Sequence, residues 1–242
     1  MLRPRHEGRM SDPAPVVLVH GAWHGPWCWD RVTPLLHDRG IKTIALDLPT
    51  MDTGAGYVTT VHDDAKTLRA ALDAIDRPAV VVGHSYGGTV ITEGAADHPM
   101  AKRLVYLAAF MPDAGQSVNG LTSIEPNPAF AGALQFANGR AALVPQRVGA
   151  LLYNDCSDEV VAWAIPQLRS MQVDFGEAAA AAAWRDIPST YIVCTQDRTI
   201  PPELQRRMAL NATEVIEWDT SHSPFASQPA LVAELLERLA RS

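Results

Sequence analysis

The stretch VVVGHSYGG, Val80 to Gly88, decides the fold. A β-branched apolar run leads straight into a serine with glycines two residues before and two after it. A sharp strand-to-helix turn needs this pattern. Gly83 and Gly87 let strand and helix approach without Cβ clashes, and the Ser85 hydroxyl is left projecting at the C-terminal edge of a sheet. Open α/β sheets bind ligands at that edge. The plainer alternative is a glycine-rich turn with an idle serine, so the rest of the sequence has to supply chemical partners.

Working outward, short apolar runs alternate with longer amphipathic segments. The runs are VVLVH (16–20), KTIALD (42–47), AVVVGH (79–84), RLVYLAAF (103–110), STYIVCT (189–195) and TEVIEW (213–218). They are rich in Val and Ile and mostly do not alternate, as expected for strands buried on both faces of a parallel sheet. Between them, WDRVTPLLHDRG, VHDDAKTLRAALDAI, GGTVITEGAADH, PPELQRRMAL and PALVAELLERLA read as helices, the first closed by Gly40. The order predicts an α/β fold: a mostly parallel, doubly wound sheet of about six strands.

One interval is too long for a single crossover. Residues 112–186 are therefore expected to form a helical cap inserted between two core segments, 15–111 and 187–242. The cap contains the helical stretch DEVVAWAIPQLRSMQ and the alanine run GEAAAAAAW, read as helix on alanine's propensity. Residues 1–14, basic and then proline-rich with no apolar core, read as a disordered lead-in rather than a secretory signal, with Met10 as a candidate start.

Composition narrows the function classes. The 242 residues are 47% hydrophobic and carry a formal charge of −7, which argues against nucleic acid or an anionic membrane as partner. No apolar run is long enough to span a bilayer. Three scattered cysteines, Cys28, Cys156 and Cys194, suit free thiols in a reducing cytoplasm. The protein is read as a monomer or homodimer.

A serine hydroxyl needs a base, and the base needs an orienting carboxylate. In a sheet of this kind the chain order is Ser, then acid, then His. His222, in WDTSHSPF just past the last strand, is the expected base. His98 is read as a surface residue, and His84 is expected to point away from Ser85. Asp197, just after the strand 189–195, is the expected acid. Its rival, Asp219, stands too close in sequence to His222 to reach the far ring nitrogen. The backbone N–H groups of Tyr86 and of Ala22, in HGAWHGPW, are the expected oxyanion donors. Trp23, Trp27 and Trp29 suit a pocket wall or ordinary packing equally well.

These residues resemble a known family. VLVHGAWHGPWCW, ALDLP, VVGHSYGG, YLAAFMPD, LLYNDCS and YIVCTQDRTIPPELQRRMA are together similar to the small plant-type methylesterase and hydroxynitrile lyase group of the α/β-hydrolase superfamily, and most of all to its salicylate-binding methylesterases. The resemblance spans the chain from about residue 15 onward. It implies a Ser85–Asp197–His222 triad, an oxyanion hole at Ala22 and Tyr86, and no metal or organic cofactor. The lyases of this group carry threonine where this chain has Gly21, and lysine where it has Ser223, so ester hydrolysis is favoured. The cap departs from the plant pattern and looks shortened, as in a bacterial-type esterase. Gly21, Trp23, Phe130, Phe136 and Trp163 are the candidate pocket residues. The reading is a cytoplasmic serine carboxylesterase for small, largely apolar esters. The alternatives are a carbon–carbon lyase and a hydrolase-fold receptor for a small ligand with little turnover.

Overall fold

The computed structural model of the chain describes residues 12–51, 59–172 and 174–242. Most of the expected lead-in, including Met10, lies outside these residues. Ala14, also expected in the lead-in, is part of the fold: it is buried and its N–H donates to the Ala240 carbonyl at 2.9 Å.

In chain order the core begins with β1 (Val16–Val19), α1 (Thr33–His37), β2 (Thr43–Ala45), α2 (Val61–Asp73), β3 (Ala79–His84), α3 (Gly87–Gly94) and β4 (Ala101–Leu107). An insertion follows, with α4 (Val118–Thr122), α5 (Pro128–Ala131), β5 (Leu134–Ala137), β6 (Arg140–Leu143), α6 (Pro145–Leu152), α7 (Asp158–Ala164) and β7 (Met171–Gln172). The core resumes with β8 (Ser189–Cys194), α8 (Pro202–Ala209), β9 (Glu214–Trp218), α9 (Pro224–Ser227) and α10 (Pro229–Arg241).

The main sheet has six strands in the order β2-β1-β3-β4-β8-β9, and every pairing is parallel. Strands β1, β3 and β8 are buried at every residue, which explains their unbroken apolar sequence. The edge strand β9 alternates half-buried and exposed positions from Glu214 to Glu217 and ends on the buried Trp218. Parallel pairing puts the C-terminal ends of β1, β3, β8 and β9 along one rim. Strand order reverses beside β1, and such a switch point opens a crevice there.

Local sequence sets the element ends. Thr60 and Asp63 form a reciprocal capping box that starts α2. Pro34 restarts the first helical stretch, which is confined to Thr33–His37 instead of running through from Trp29. Gly40 follows it in the left-handed conformation, φ 74°.

Three expectations are corrected. The insertion is not purely helical, since β5, β6 and β7 form a small antiparallel sheet. Its hairpin turns at Asn138-Gly139, both with positive φ, the pairing that a two-residue primed turn requires. The alanine run is not a helix. Ala179 exchanges backbone hydrogen bonds with the 115–116 loop, and the Ala180 N–H donates to Glu93. These tertiary bonds outweigh a propensity that is small per residue over so short a run. His98 is buried rather than a surface residue, with Nε2 3.1 Å from Asp73.

The turn after β3 is close-packed backbone on backbone. A Cβ on Gly83 would lie 2.5 Å from the Gly87 carbonyl oxygen, and one on Gly88 would overlap the Phe110 carbonyl. Gly83→Ala is therefore expected to cost about 1–3 kcal/mol of stability. Gly120→Ala, with its nearest neighbour 3.4 Å away, should stay within about 0.5 kcal/mol of wild type. Urea unfolding of the two variants checks the contrast.

Candidate active site

Four loops at the C-terminal rim carry the expected residues. Ser85 follows β3, Ala22 follows β1, Asp197 follows β8 and His222 follows β9. Ser85 sits in the left-handed region, φ 52°. Three backbone bonds hold it there: its N–H donates to the Leu107 carbonyl at 3.3 Å, and its carbonyl accepts from Gly88 and Phe110 at 3.0 Å each. The N–H groups of Ala22 and Tyr86 have no hydrogen-bond acceptor among the described residues. Two free amides beside a serine are what an oxyanion site requires.

His222 Nδ1–H donates to Asp197 Oδ2 at 2.7 Å, and both residues are buried. The carboxylate is oriented by three further donors. Thr199 and Ile200 N–H reach Oδ1 at 2.7 and 3.0 Å, and Gln205 Nε2 reaches Oδ2 at 2.7 Å. The elbow and the base loop are joined directly, since His84 Nε2–H donates to the His222 carbonyl at 2.8 Å. Burial, reinforced by the neighbouring His222, holds the His84 imidazole well below the usual histidine range, so it stays a neutral donor. Asp219 is exposed and binds Thr195 and Gln196 instead of His222.

The loop after β1 is braced from behind. The Gly21 carbonyl accepts from His20 Nδ1–H at 2.9 Å and from the His24 N–H at 3.3 Å. Since a peptide plane holds C=O and N–H on opposite sides, these bonds aim the Ala22 N–H the other way. Burial pushes His24 down to about 3. The neutral ring donates from Nδ1 to the Ala22 carbonyl at 2.8 Å and accepts at Nε2 from the Tyr153 hydroxyl at 2.7 Å.

A cavity of about 540 Å³ opens above Ser85, Ala22 and Tyr86, with Trp23, Phe130 and Phe175 among its apolar walls. Of the three tryptophans of the β1 loop, Trp23 lines this cavity, whereas Trp29 is core packing against Phe225. Three candidate pocket residues are corrected. Phe136 is 76% exposed on β5, pointing away from any core. Trp163 packs edge-on against Trp27, which stacks on His24, so it backs the loop rather than the cavity. Gly21 lies beneath the serine: a Cβ there would sit 2.9 Å from the Ser85 Cβ. Among the described residues no cluster of three or more His, Cys, Asp or Glu is placed to hold a metal ion. The three cysteines are free.

Sequence reasoning missed Gln205 and Phe175. Gln205 falls on the buried face of α8 with Leu204, Met208 and Ala209. A polar residue on an otherwise apolar helical face is a signal that could have found it. Phe175 lies outside any periodic segment and gave no such signal.

A match to the alpha/beta hydrolase family model extends over residues 16–235. The chain belongs to that family. It is 31% identical to salicylic acid-binding protein 2 of Nicotiana tabacum, over 94% of this chain and 98% of that one. It is 28% identical to methylesterase 1 of Arabidopsis thaliana, over 93% and 95%. The fold also matches the solved structure of a pyrethroid hydrolase from Sphingobium faniae, with TM-score 0.82 at 24% identity, over 95% of this chain and 98% of that one. Among the described residues no helix is long and apolar enough to cross a membrane.

Beneath Tyr86 lies a buried carboxyl. Asp64 accepts from the Thr50 N–H at 3.0 Å, the Thr50 hydroxyl at 2.6 Å and the Tyr86 hydroxyl at 2.9 Å. Burial raises it to about 6 despite those bonds. Its folded value lies above the unfolded one, so folding takes up a proton between roughly pH 4 and 6. The stability it contributes is present below about pH 4 and is lost as pH rises through 6, by about 3 kcal/mol in all. Asp64→Asn should remove that slope, and its urea-unfolding free energy measured from pH 4 to 7 against wild type tests this.

Proposed function

We propose that the protein is a serine carboxylesterase for small, largely apolar carboxylic esters. The observation that carries this reading is Ser85 held left-handed beside two free amides on the floor of an apolar cavity, with the buried His222–Asp197 pair bonded to the same elbow. The relatedness to a methylesterase points the same way.

In this reading His222 Nε2 takes the Ser85 proton as Oγ attacks the ester carbonyl carbon. The new oxyanion is received by the Ala22 and Tyr86 N–H groups, and Asp197 holds the imidazolium through Nδ1. The tetrahedral intermediate collapses, the alcohol departs with the proton from His222, and an acyl-serine remains. Water, deprotonated by His222, attacks the acyl carbon, and Ser85 leaves with the proton as the acid is released.

Cyanohydrin cleavage finds no comparable support. A side chain at position 21 would collide with Ser85, and the residue after His222 is the buried, uncharged Ser223 rather than a cation. Turnover at the serine also distinguishes an enzyme from a small-ligand receptor. Ser85→Ala should lower kcat for p-nitrophenyl acetate by on the order of 10⁶, while still binding product acids in the cavity. Wild-type turnover by the folded variant would overturn the assignment. A panel of methyl and aryl esters with varied acyl groups, compared by kcat/KM, reads the cavity's preference.

A further inference from the structure

The segment LLYND (151–155) stands out because it lines no part of the cavity yet bonds to three of the four loops that carry the expected residues. It begins at the C-terminus of α6, where helix carbonyls lack intrahelical partners. The Leu151 carbonyl accepts from the Thr199 hydroxyl at 3.1 Å. Asn154 Nδ2 donates to the Gln196 carbonyl at 3.1 Å, so these two bonds bracket Asp197. Asp155 Oδ2 accepts from the N–H of Ser221 at 2.9 Å, directly before His222. The Leu152 carbonyl accepts from the Ser221 hydroxyl at 3.4 Å. The Tyr153 hydroxyl donates to His24, which in turn holds the Ala22 carbonyl.

We infer that residues 151–155 are a clamp that sets the acid, base and oxyanion loops in mutual register, with Tyr153 and Asp155 as positioning residues. The inference rests on the serine-esterase reading above. The three loops leave separate strands, and nothing in the sheet itself fixes the distance between their tips. The acid and base loops are bonded to each other, through Gln196 N–H to the Thr220 carbonyl at 3.0 Å and through His222 to Asp197, and the 151–155 segment ties both of them to the oxyanion loop. The insertion thereby acts on the rate of the chemistry as well as on the choice of substrate. Such action falls on kcat, because a misplaced reacting group loses transition-state stabilisation while ground-state binding in the cavity is unchanged.

The test uses the full chain, with active sites counted by fluorophosphonate titration and turnover read above the Ser85→Ala background. Turnover surviving in Ser85→Ala would thus indict the serine reading separately from the clamp. Asp155→Ala, at an exposed side chain, should lower kcat about tenfold with KM within about twofold. Asp155→Asn keeps an oxygen for the Ser221 N–H and should restore kcat to within about twofold of wild type. Tyr153→Phe removes only the hydroxyl and should also lower kcat about tenfold at constant KM. Wild-type kcat per titrated site in Asp155→Ala and Tyr153→Phe would overturn the clamp. So would a rise in KM alone, which would make the segment a pocket wall. An Asp155→Asn as impaired as Asp155→Ala would also overturn it, since charge rather than the hydrogen bond would then be what matters.

Discussion

Everything at the site depends on one backbone constraint, the reversal between β3 and α3. A non-glycine residue at positive φ costs about 1–3 kcal/mol. At Ser85 that cost is met by three backbone hydrogen bonds, to Leu107, Gly88 and Phe110, each worth about 1 kcal/mol net. Gly83, Gly87 and Gly88 make those bonds reachable, because each faces backbone atoms with no room for a Cβ. The same reversal leaves the Tyr86 N–H at a helix start with no acceptor among the described residues, so one constraint positions both a hydroxyl and an amide.

The remaining groups are fixed by polar contacts that stay in one protonation state. Two histidines beside the His222–Asp197 pair, His24 and His84, are buried and driven toward the neutral form. Each then has a defined donor and acceptor nitrogen, and each donor points at a backbone carbonyl, of Ala22 or of His222. Neutral rings of this kind act as rigid spacers whose bonds do not change with pH across the physiological range. Asp197 is handled differently: four N–H donors on two oxygens leave the carboxylate a single orientation, and that orientation directs the His222 ring.

The legible parts of the sequence were those where local pattern and tertiary demand agree. Fully buried parallel strands must be apolar at every position, so β1, β3 and β8 announce themselves, and the loops after them follow. The insertion was harder to read. The alanine run has helical propensity but too few residues to nucleate against competing backbone partners at 115–116. Asn138-Gly139 was a legible hairpin signal that the expectation of a helical cap hid. Phe136 and Trp163 show why aromatic residues alone do not mark a pocket. One is left exposed beside the hairpin turn, and the other packs against a second tryptophan behind the β1 loop. Gln205 and the 151–155 segment act through side chains that meet partners distant in sequence, and only the fold brings those partners together.

This division has a consequence for how such a scaffold changes substrate. The cavity walls contributed by the insertion come from Val118 to Leu134 and from Phe175. Residues 151–155 of the insertion contact the loops of Asp197, His222 and Ala22. Specificity and loop register therefore occupy different stretches of one insertion. Apolar side chains can be exchanged in the first stretch without removing a bond to the loops, whereas Asn127 belongs to both, since it lines the cavity and its Nδ2 donates to the Arg198 and Thr199 carbonyls beside Asp197. In the proposed reading the sheet and its elbow supply the nucleophile, the 151–155 segment supplies the register, and the apolar walls vary in size around that reaction centre.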